Sequence, residues 1–203
     1  MKLYDGGRAP NPRRVRIFLA EKGISVPLEP VDIAAKAHLS EAFTALNPLQ
    51  RLPVLLLDDG TAIAESIAIC RYFEALHPEP SLFGRDAKSS ALIEMWQRRL
   101  ELSLYLPVQA VFRHLHPAMK DFEIPQIPAW GDANKPRVMD FLALLDRELA
   151  GRRYIAGDEF SVADITGLVT LDFFKPAKMT VPPEFTHVVR WHNELAARPS
   201  AGA

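Results

Sequence analysis

The stretch from Asn47 to Leu76, NPLQRLPVLLLDDGTAIAESIAICRYFEAL, most constrains what this chain can fold into. The apolar run Pro53 to Leu57 is too short for a helix and reads as a strand. Asp58-Asp59-Gly60 follows with the residues a tight turn needs, because glycine accepts positive φ at no steric cost. Thr61 to Ala64 returns as a second strand, and Ser66 opens an amphipathic helix whose apolar stripe is Ile67, Cys70, Phe73 and Leu76. Leu52-Pro53, at the mouth of the hairpin, is a candidate cis step that leaves the backbone of Leu52 open to a partner. Glu65-Ser66 puts an acid and a hydroxyl where a helix start presents unpaired N–H groups, a ready site for a carboxylate.

Taken singly, a strand proline and a capping pair are common. A spacing of twelve between Pro53 and Glu65, across a hairpin tipped by Asp-Gly, is specific. On these residues the chain resembles the cytosolic glutathione transferases. The resemblance implies that Leu52-Pro53 is the family's cis-proline step, with Glu65 and Ser66 as its γ-glutamyl site. It extends over nearly the whole chain. The implied fold class is α/β plus all-α: an N-terminal thioredoxin-like domain over residues 1–77, which binds glutathione, then an all-helical domain over 86–203, which binds the electrophile.

The order of elements agrees. Met1 to Tyr4 reads as a first strand, and Asp5 to Pro10 as a loop. Asn11-Pro12 reads as the start of a helix, with Asn as N-cap and Pro in the first turn. Gly23 stops that helix, and Pro27 to Asp32 reads as a second strand. His77 to Ser81, HPEPS, is a linker. Beyond Asp86 only helices are expected: a long one to Phe112 with a kink at Pro107, and another from Asn134-Lys135-Pro136 to about Gly151. In FSVADIT, Ser161 and Asp164 form a capping box, and Phe160 and Ile165 are spaced for a hydrophobic staple. The family resemblance makes this the buried helix of the second domain, with a role in folding.

Of 203 residues, 24 are basic and 25 acidic, so the charge carries no footprint for nucleic acid. No apolar run approaches a membrane span, and MKLYDGGRAP has no apolar leader core, so a cytoplasmic location is expected. The single cysteine, Cys70, excludes an internal disulfide and a CxxC redox pair. His114 and His116 lack further ligands at metal spacing, so no metal is expected.

Glutathione presents two carboxylates, an ammonium and a thiol. Ser66 suits the γ-glutamyl carboxylate and Glu65 the ammonium. By the resemblance, Arg51 and His38 meet the glycyl carboxylate, and Leu52 pairs its backbone with the cysteinyl peptide; a solvated surface pair is the other role open to Arg51 and His38. The family places Ser, Tyr or Cys after its first strand. Here the segment is APNPRRVR, and the position falls on Ala9, which neither donates to a thiolate nor forms a mixed disulfide. Asn11 has two roles open to it, N-cap or donor to the thiol. The chain resembles a bacterial and fungal branch that lacks the usual Ser, Tyr or Cys and acts through second-domain groups and a water, which points to His114. Arg13, Arg14 and Arg16 oppose the dipole of their helix start, a local violation that an anionic ligand would offset.

The function these expectations describe is conjugation of the glutathione thiolate to a small apolar electrophile, by a homodimer. Tyr105, Phe112 and Trp130 supply an apolar wall, and the helix from Met95 to Leu106, with Arg98, Arg99 and Glu101, supplies charges of both signs for the dimer contact. The alternative is a catalytically silent transferase-like glutathione-binding or scaffold protein, which Ala9 favours. A glutathione-dependent disulfide oxidoreductase is weakened by the absent CxxC.

Overall fold

The computed structural model describes residues 1–203. It divides into two compact units, Met1–Ser81 with Pro199–Ala203, and Leu82–Arg198.

In the first unit the chain runs β1 (Lys2–Asp5), α1 (Pro10–Glu21), β2 (Leu28–Pro30), α2 (Glu41–Leu46), β3 (Val54–Leu56), β4 (Ala62–Ala64) and α3 (Ser66–Leu76). The sheet order is β2-β1-β3-β4. β1 pairs parallel to β2 and antiparallel to β3, and β3 pairs antiparallel to β4. The hairpin closes as its residues dictate: Gly60 takes φ 87°, and the Leu57 N–H donates to the Thr61 carbonyl at 2.9 Å. α1 and α3 pack together through Val15, Phe18, Ile69, Cys70 and Phe73, all buried. Burying each large apolar side chain contributes about 1.5–3 kcal/mol. The apolar stripe of α3 differs from the expected one, since Ile69 joins Cys70 and Phe73 inside while Leu76 is 52% exposed and Ile67 only half-buried. Ser66, polar and at the helix start, takes the inward place one turn before Cys70.

α1 ends as expected, with Gly23 at φ 66° and the Ile24 N–H returning to the Leu19 carbonyl at 2.9 Å. Its start differs. The helix begins at Pro10 with Ala9 in the cap position, so Asn11 lies inside the first turn and caps nothing. Prolines at both Pro10 and Pro12 fit there, because the first-turn N–H groups have no helical partner to lose. At the other end, the buried Lys22 ammonium donates to the carbonyls of His77 (2.8 Å) and Pro80 (2.6 Å) and pairs with Glu74 at 2.5 Å, holding the linker.

The second unit contains α4 (Ala87–Leu100), α5 (Leu106–Leu115), α6 (Pro128–Leu149), α7 (Val162–Asp172) and α8 (Thr186–Ala196). The irregularity expected at Pro107 lies just before it. Glu101–Tyr105 is a π-helical segment in which the Leu106 N–H reaches the Glu101 carbonyl, and the wider turn precedes a residue that has no N–H to give. α6 begins at Pro128, well before Asn134, and runs through Pro136. Asn134 is buried inside that helix, where its amide donates to the Trp130 carbonyl at 2.8 Å. Local propensity is overridden here by packing against α5. No helix is long and apolar enough to cross a membrane.

Every residue of α7 from Val162 to Leu171 is buried, and its first turn depends on Asp164. This carboxylate accepts from Ile155 N–H (2.9 Å), Ser161 N–H (3.0 Å), Ser161 Oγ (3.1 Å) and Trp191 Nε1 (2.9 Å). Burial pushes its pKa up, and those donors pull it back. Gly167 lets the Trp191 ring approach α7 closely, for a Cβ there would lie 2.5 Å from the ring. Phe160 meets Tyr154 edge-on at 5.8 Å, under the Arg198 guanidinium at 4.0 Å. Asp164→Ala leaves its donors buried without an acceptor, at about 1–3 kcal/mol for each group left unsatisfied. We expect a loss of at least about 3 kcal/mol for Asp164→Ala and a smaller loss for Asp164→Asn, which keeps one acceptor oxygen. Chemical denaturation monitored by circular dichroism checks this, and equal stability of the wild type and Asp164→Ala would refute it.

Candidate functional site

The first unit gathers most of the expected residues at the ends of α1, α3 and the 47–53 loop. Leu52-Pro53 is a cis bond. β3 enters the ladder only at Val54, opposite Tyr4, so the backbone of Leu52 lies outside the sheet. The loop before it is held by Asn47, a buried residue that the sequence reading did not single out. Its Nδ2 donates to the Arg51 carbonyl at 2.9 Å, and its Oδ1 accepts from the Leu49 N–H at 3.1 Å. The Asn-Pro step at Asn47-Pro48 is the sequence signal for such a turn.

Ser66 is the first residue of α3 and is 5% exposed. The helix start has no side-chain cap, so its first N–H groups, at the positive end of the dipole, are not taken by the cap residue. Glu65, in the cap position, is exposed and takes φ 67°, a left-handed conformation that costs a non-glycine residue about 1–3 kcal/mol. Strain of this kind clusters where a backbone must present itself to a ligand.

Arg51 is exposed, and His38 is 7% exposed in a short 3-10 turn, Ala37–Leu39. Burial first, and then the charge of Arg51, push the His38 imidazole below its ordinary value. At neutral pH His38 is therefore an uncharged hydrogen-bonding group, and Arg51 is the cation of this pair. Gly6 lies against the side chains of Ile33, Leu52 and Pro12, where a Cβ would meet them at 2.9, 3.2 and 3.3 Å.

The three arginines of α1 separate into distinct roles. Arg13 donates to the Ala201 carbonyl at 2.8 Å. Arg16 pairs with Asp5 and donates to the Gly7 carbonyl at 2.9 Å, framing the loop that leads to Ala9. Arg14 is only 2% exposed, and its Nη1 donates to Ser66 Oγ at 2.7 Å and to Asn11 Oδ1 at 3.1 Å. All three arginines conflict with the dipole of their helix, yet it is Arg14 that bonds to side chains at both helix starts.

His114 lies in the second unit, on α5. Its Nδ1 accepts from the Ile127 N–H at 3.0 Å, and its Nε2 stands 3.8 Å from Glu123. In the neutral ring the proton therefore sits on Nε2, so this nitrogen is a donor. Of the expected apolar wall, Tyr105 is buried in the core and Trp130 is exposed under Arg137. Phe112 is half-buried, tilted over His116 and edge-on to Phe173, each at 4.9 Å between ring centres. No cluster of three or more His, Cys, Asp or Glu side chains is placed to hold a metal ion.

Two family models match the chain: the glutathione S-transferase N-terminal domain over residues 9–76, and the glutathione S-transferase C-terminal domain over 111–199. Glutathione S-transferase 2 of Saccharomyces cerevisiae is 37% identical, with the match covering 98% of this chain and 87% of that protein. The crystal structure of Gtt2 from the same yeast superposes with a TM-score of 0.95 at 37% identity, over 100% of this chain and 99% of that one. A glutathione S-transferase domain-containing protein of Marinobacter aquaeolei superposes equally well, with a TM-score of 0.95 at 42% identity, over 98% and 99% of the two chains.

Cys70, one turn beyond Ser66, is not a nucleophile. It is fully buried, and burial pushes its thiol up to about 12 even though the charge of Arg14 acts in the opposite direction. A thiol reagent at mildly alkaline pH is expected to leave the native protein unlabelled and to modify one cysteine after denaturation; rapid labelling of the native protein would contradict the burial.

Proposed function

The chain belongs to the glutathione S-transferase family, and on that premise we propose how its own residues hold glutathione and ready the thiol for attack. It is a glutathione transferase, and glutathione is its co-substrate. The observation that carries the placement is Ser66, buried at the uncapped start of α3 beside the strained Glu65. Ser66 and the first N–H groups of α3 receive the γ-glutamyl carboxylate, and Glu65 takes the ammonium. Leu52 pairs its backbone with the cysteinyl peptide next to Pro53. Arg51 meets the glycyl carboxylate, with the neutral His38 beside it.

With Ala9 in the cap position, thiol activation falls to Asn11. Pro10 and Pro12 carry no N–H, so the backbone donor of the first turn of α1 is that of Asn11. Its side-chain oxygen already accepts from Arg14, which leaves the amide nitrogen to donate. Lowering a thiol from about 8.5 to about 6.5 needs roughly 2.7 kcal/mol. A hydrogen bond to a charged group contributes about 1.5–3 kcal/mol, and a helix start about 0.3–1 more. Asn11 and the dipole together cover that requirement. In the helical unit His114 offers Nε2 as a donor. The thiolate then attacks an apolar electrophile, either adding to it or displacing its leaving group as an anion.

Ser66→Ala is expected to weaken glutathione by about 1–3 kcal/mol in titration calorimetry, and Arg51→Ala by less because that end is solvent-screened. Unchanged affinity of Ser66→Ala would sink the placement. Turnover of a chlorodinitrobenzene with glutathione separates this reading from a silent binding protein. Asn11→Ala is expected to keep the fold, lower turnover, and raise the pKa of the bound thiol by about one to two units, read by thiolate absorbance. If Asn11→Ala and His114→Ala both leave that pKa in place, the activation scheme is wrong.

The protein acts as a homodimer in this reading. Arg98 and Glu101 pair with each other and Arg99 lies over Trp96, so the helix charges are satisfied within the subunit. The exposed Leu92, Leu102 and Leu106 are what the same surface offers a second copy. Sedimentation is expected to give twice 22.7 kDa at micromolar concentration, and a monomer there would refute the dimer.

A further inference from the structure

We propose that Arg14 is the positioning residue of this site: one buried guanidinium orients both the thiol donor, Asn11, and the γ-glutamyl donor, Ser66, and so couples the two ends of bound glutathione. The inference rests on the placement of glutathione proposed above and assigns a role to a residue that touches no part of the ligand.

A guanidinium only donates. Nη1 of Arg14 lies 2.7 Å from Ser66 Oγ and 3.1 Å from Asn11 Oδ1, so both oxygens are acceptors toward it. Each consequence is directional. Ser66 Oγ, with one lone pair taken from below, turns its own hydrogen away from Arg14 and toward the open start of α3. Asn11, with its oxygen held inward, presents its amide nitrogen outward. An unconstrained serine hydroxyl rotates freely, and an unconstrained asparagine amide flips; here each is fixed before the ligand arrives. Arg14 is 2% exposed, so the bonds are not exchanged for water and the charge is weakly screened. α1 and α3 pack against each other, so Arg14 reaches a residue 52 positions away in sequence. A lysine at this position keeps the charge, but its freely rotating ammonium lacks the two fixed in-plane N–H directions of Nη1.

The coupling has a readout that a merely structural role would not move. S-methylglutathione has no ionisable thiol, so a residue acting only on the thiol has no reason to change its affinity. If Arg14 links the two donors, Asn11→Ala frees the guanidinium to shift, loosens Ser66, and weakens S-methylglutathione by about threefold, a small part of the range for a charged-group hydrogen bond. In a Ser66→Ala background the same change is expected to have no effect. Arg14→Lys is expected to raise the bound glutathione thiol by about one pKa unit, and to leave it unmoved once Asn11 is already alanine. Calorimetry with S-methylglutathione across the Asn11, Ser66 and double variants gives the test without requiring any Arg14 variant to fold; thiolate absorbance of Arg14→Lys adds the second cycle. Additive effects of Asn11→Ala and Ser66→Ala on S-methylglutathione would overturn the inference. So would a folded Arg14→Lys protein with reduced thermal stability but an unchanged thiol pKa. If Ser66→Ala by itself leaves both ligands bound as before, it is the glutathione placement that fails.

Discussion

The hydrogen bond from Arg14 to Ser66 ties the start of α1 to the start of α3 in the N-terminal unit. A guanidinium buried to this degree must find acceptors, because an unpaired buried charge costs several kcal/mol. Two of its acceptors, both served by Nη1, are side chains that stand at the beginnings of α1 and α3. Packing of Val15 and Phe18 against Ile69 and Phe73 brings the helices into contact, and it does so without regard to direction. The guanidinium supplies the direction. Apolar burial thus provides most of the free energy, and one buried cation provides the alignment.

The C-terminal unit meets the same requirement with the opposite charge. α7 is buried on all sides, and a buried helix start would leave N–H groups without partners. Asp164 takes donors from its own first turn, from Ile155 and from the Trp191 ring of α8, so one carboxylate fastens a helix start, a loop and a neighbouring helix. α8 is started in the same way, since Asp146 of α6 accepts from the N–H groups of His187 (2.8 Å) and Val188 (2.9 Å). The units differ in how their helix starts are closed. In the helical unit the starts of α7 and α8 are closed by protein carboxylates. In the N-terminal unit the start of α3 has no side-chain cap, which is what the proposed glutathione site relies on.

Glu65 at the start of α3 is strained, and Asp5 and Arg16 frame the β1–α1 loop. A backbone that presents N–H groups to a ligand cannot also satisfy them internally, so rigidity has to come from its surroundings. Asn47 gives that rigidity to the approach to Pro53, Arg14 to the two donors, and Lys22 to the linker behind them.

What the sequence by itself determined was local. The Leu52-Pro53 step, the Asp-Gly turn, Glu65-Ser66 at a helix start, Gly23 as a stop and the Ser161-Asp164 box were all legible, because each is a matter of φ preference or of a side chain reaching its own backbone within a few residues. What only the tertiary structure decided was who meets whom across long separations. Asn11 has the composition of an N-cap, and nothing nearby in the chain says that Arg14 will claim its oxygen; that follows from α3 arriving against α1. Asn134-Lys135-Pro136 has the look of a helix start, yet α5 packs along α6 from Pro128 onward, and the burial gained there outweighs the hydrogen bond that Pro136 cannot make. The α3 stripe rotated for the same reason: the face that meets α1 includes Ser66, because its hydroxyl has a buried partner, and Leu76 was left to solvent. Short-range stereochemistry is written residue by residue, whereas the choice of inward face and of hydrogen-bond partner depends on surfaces that exist only once the chain has folded.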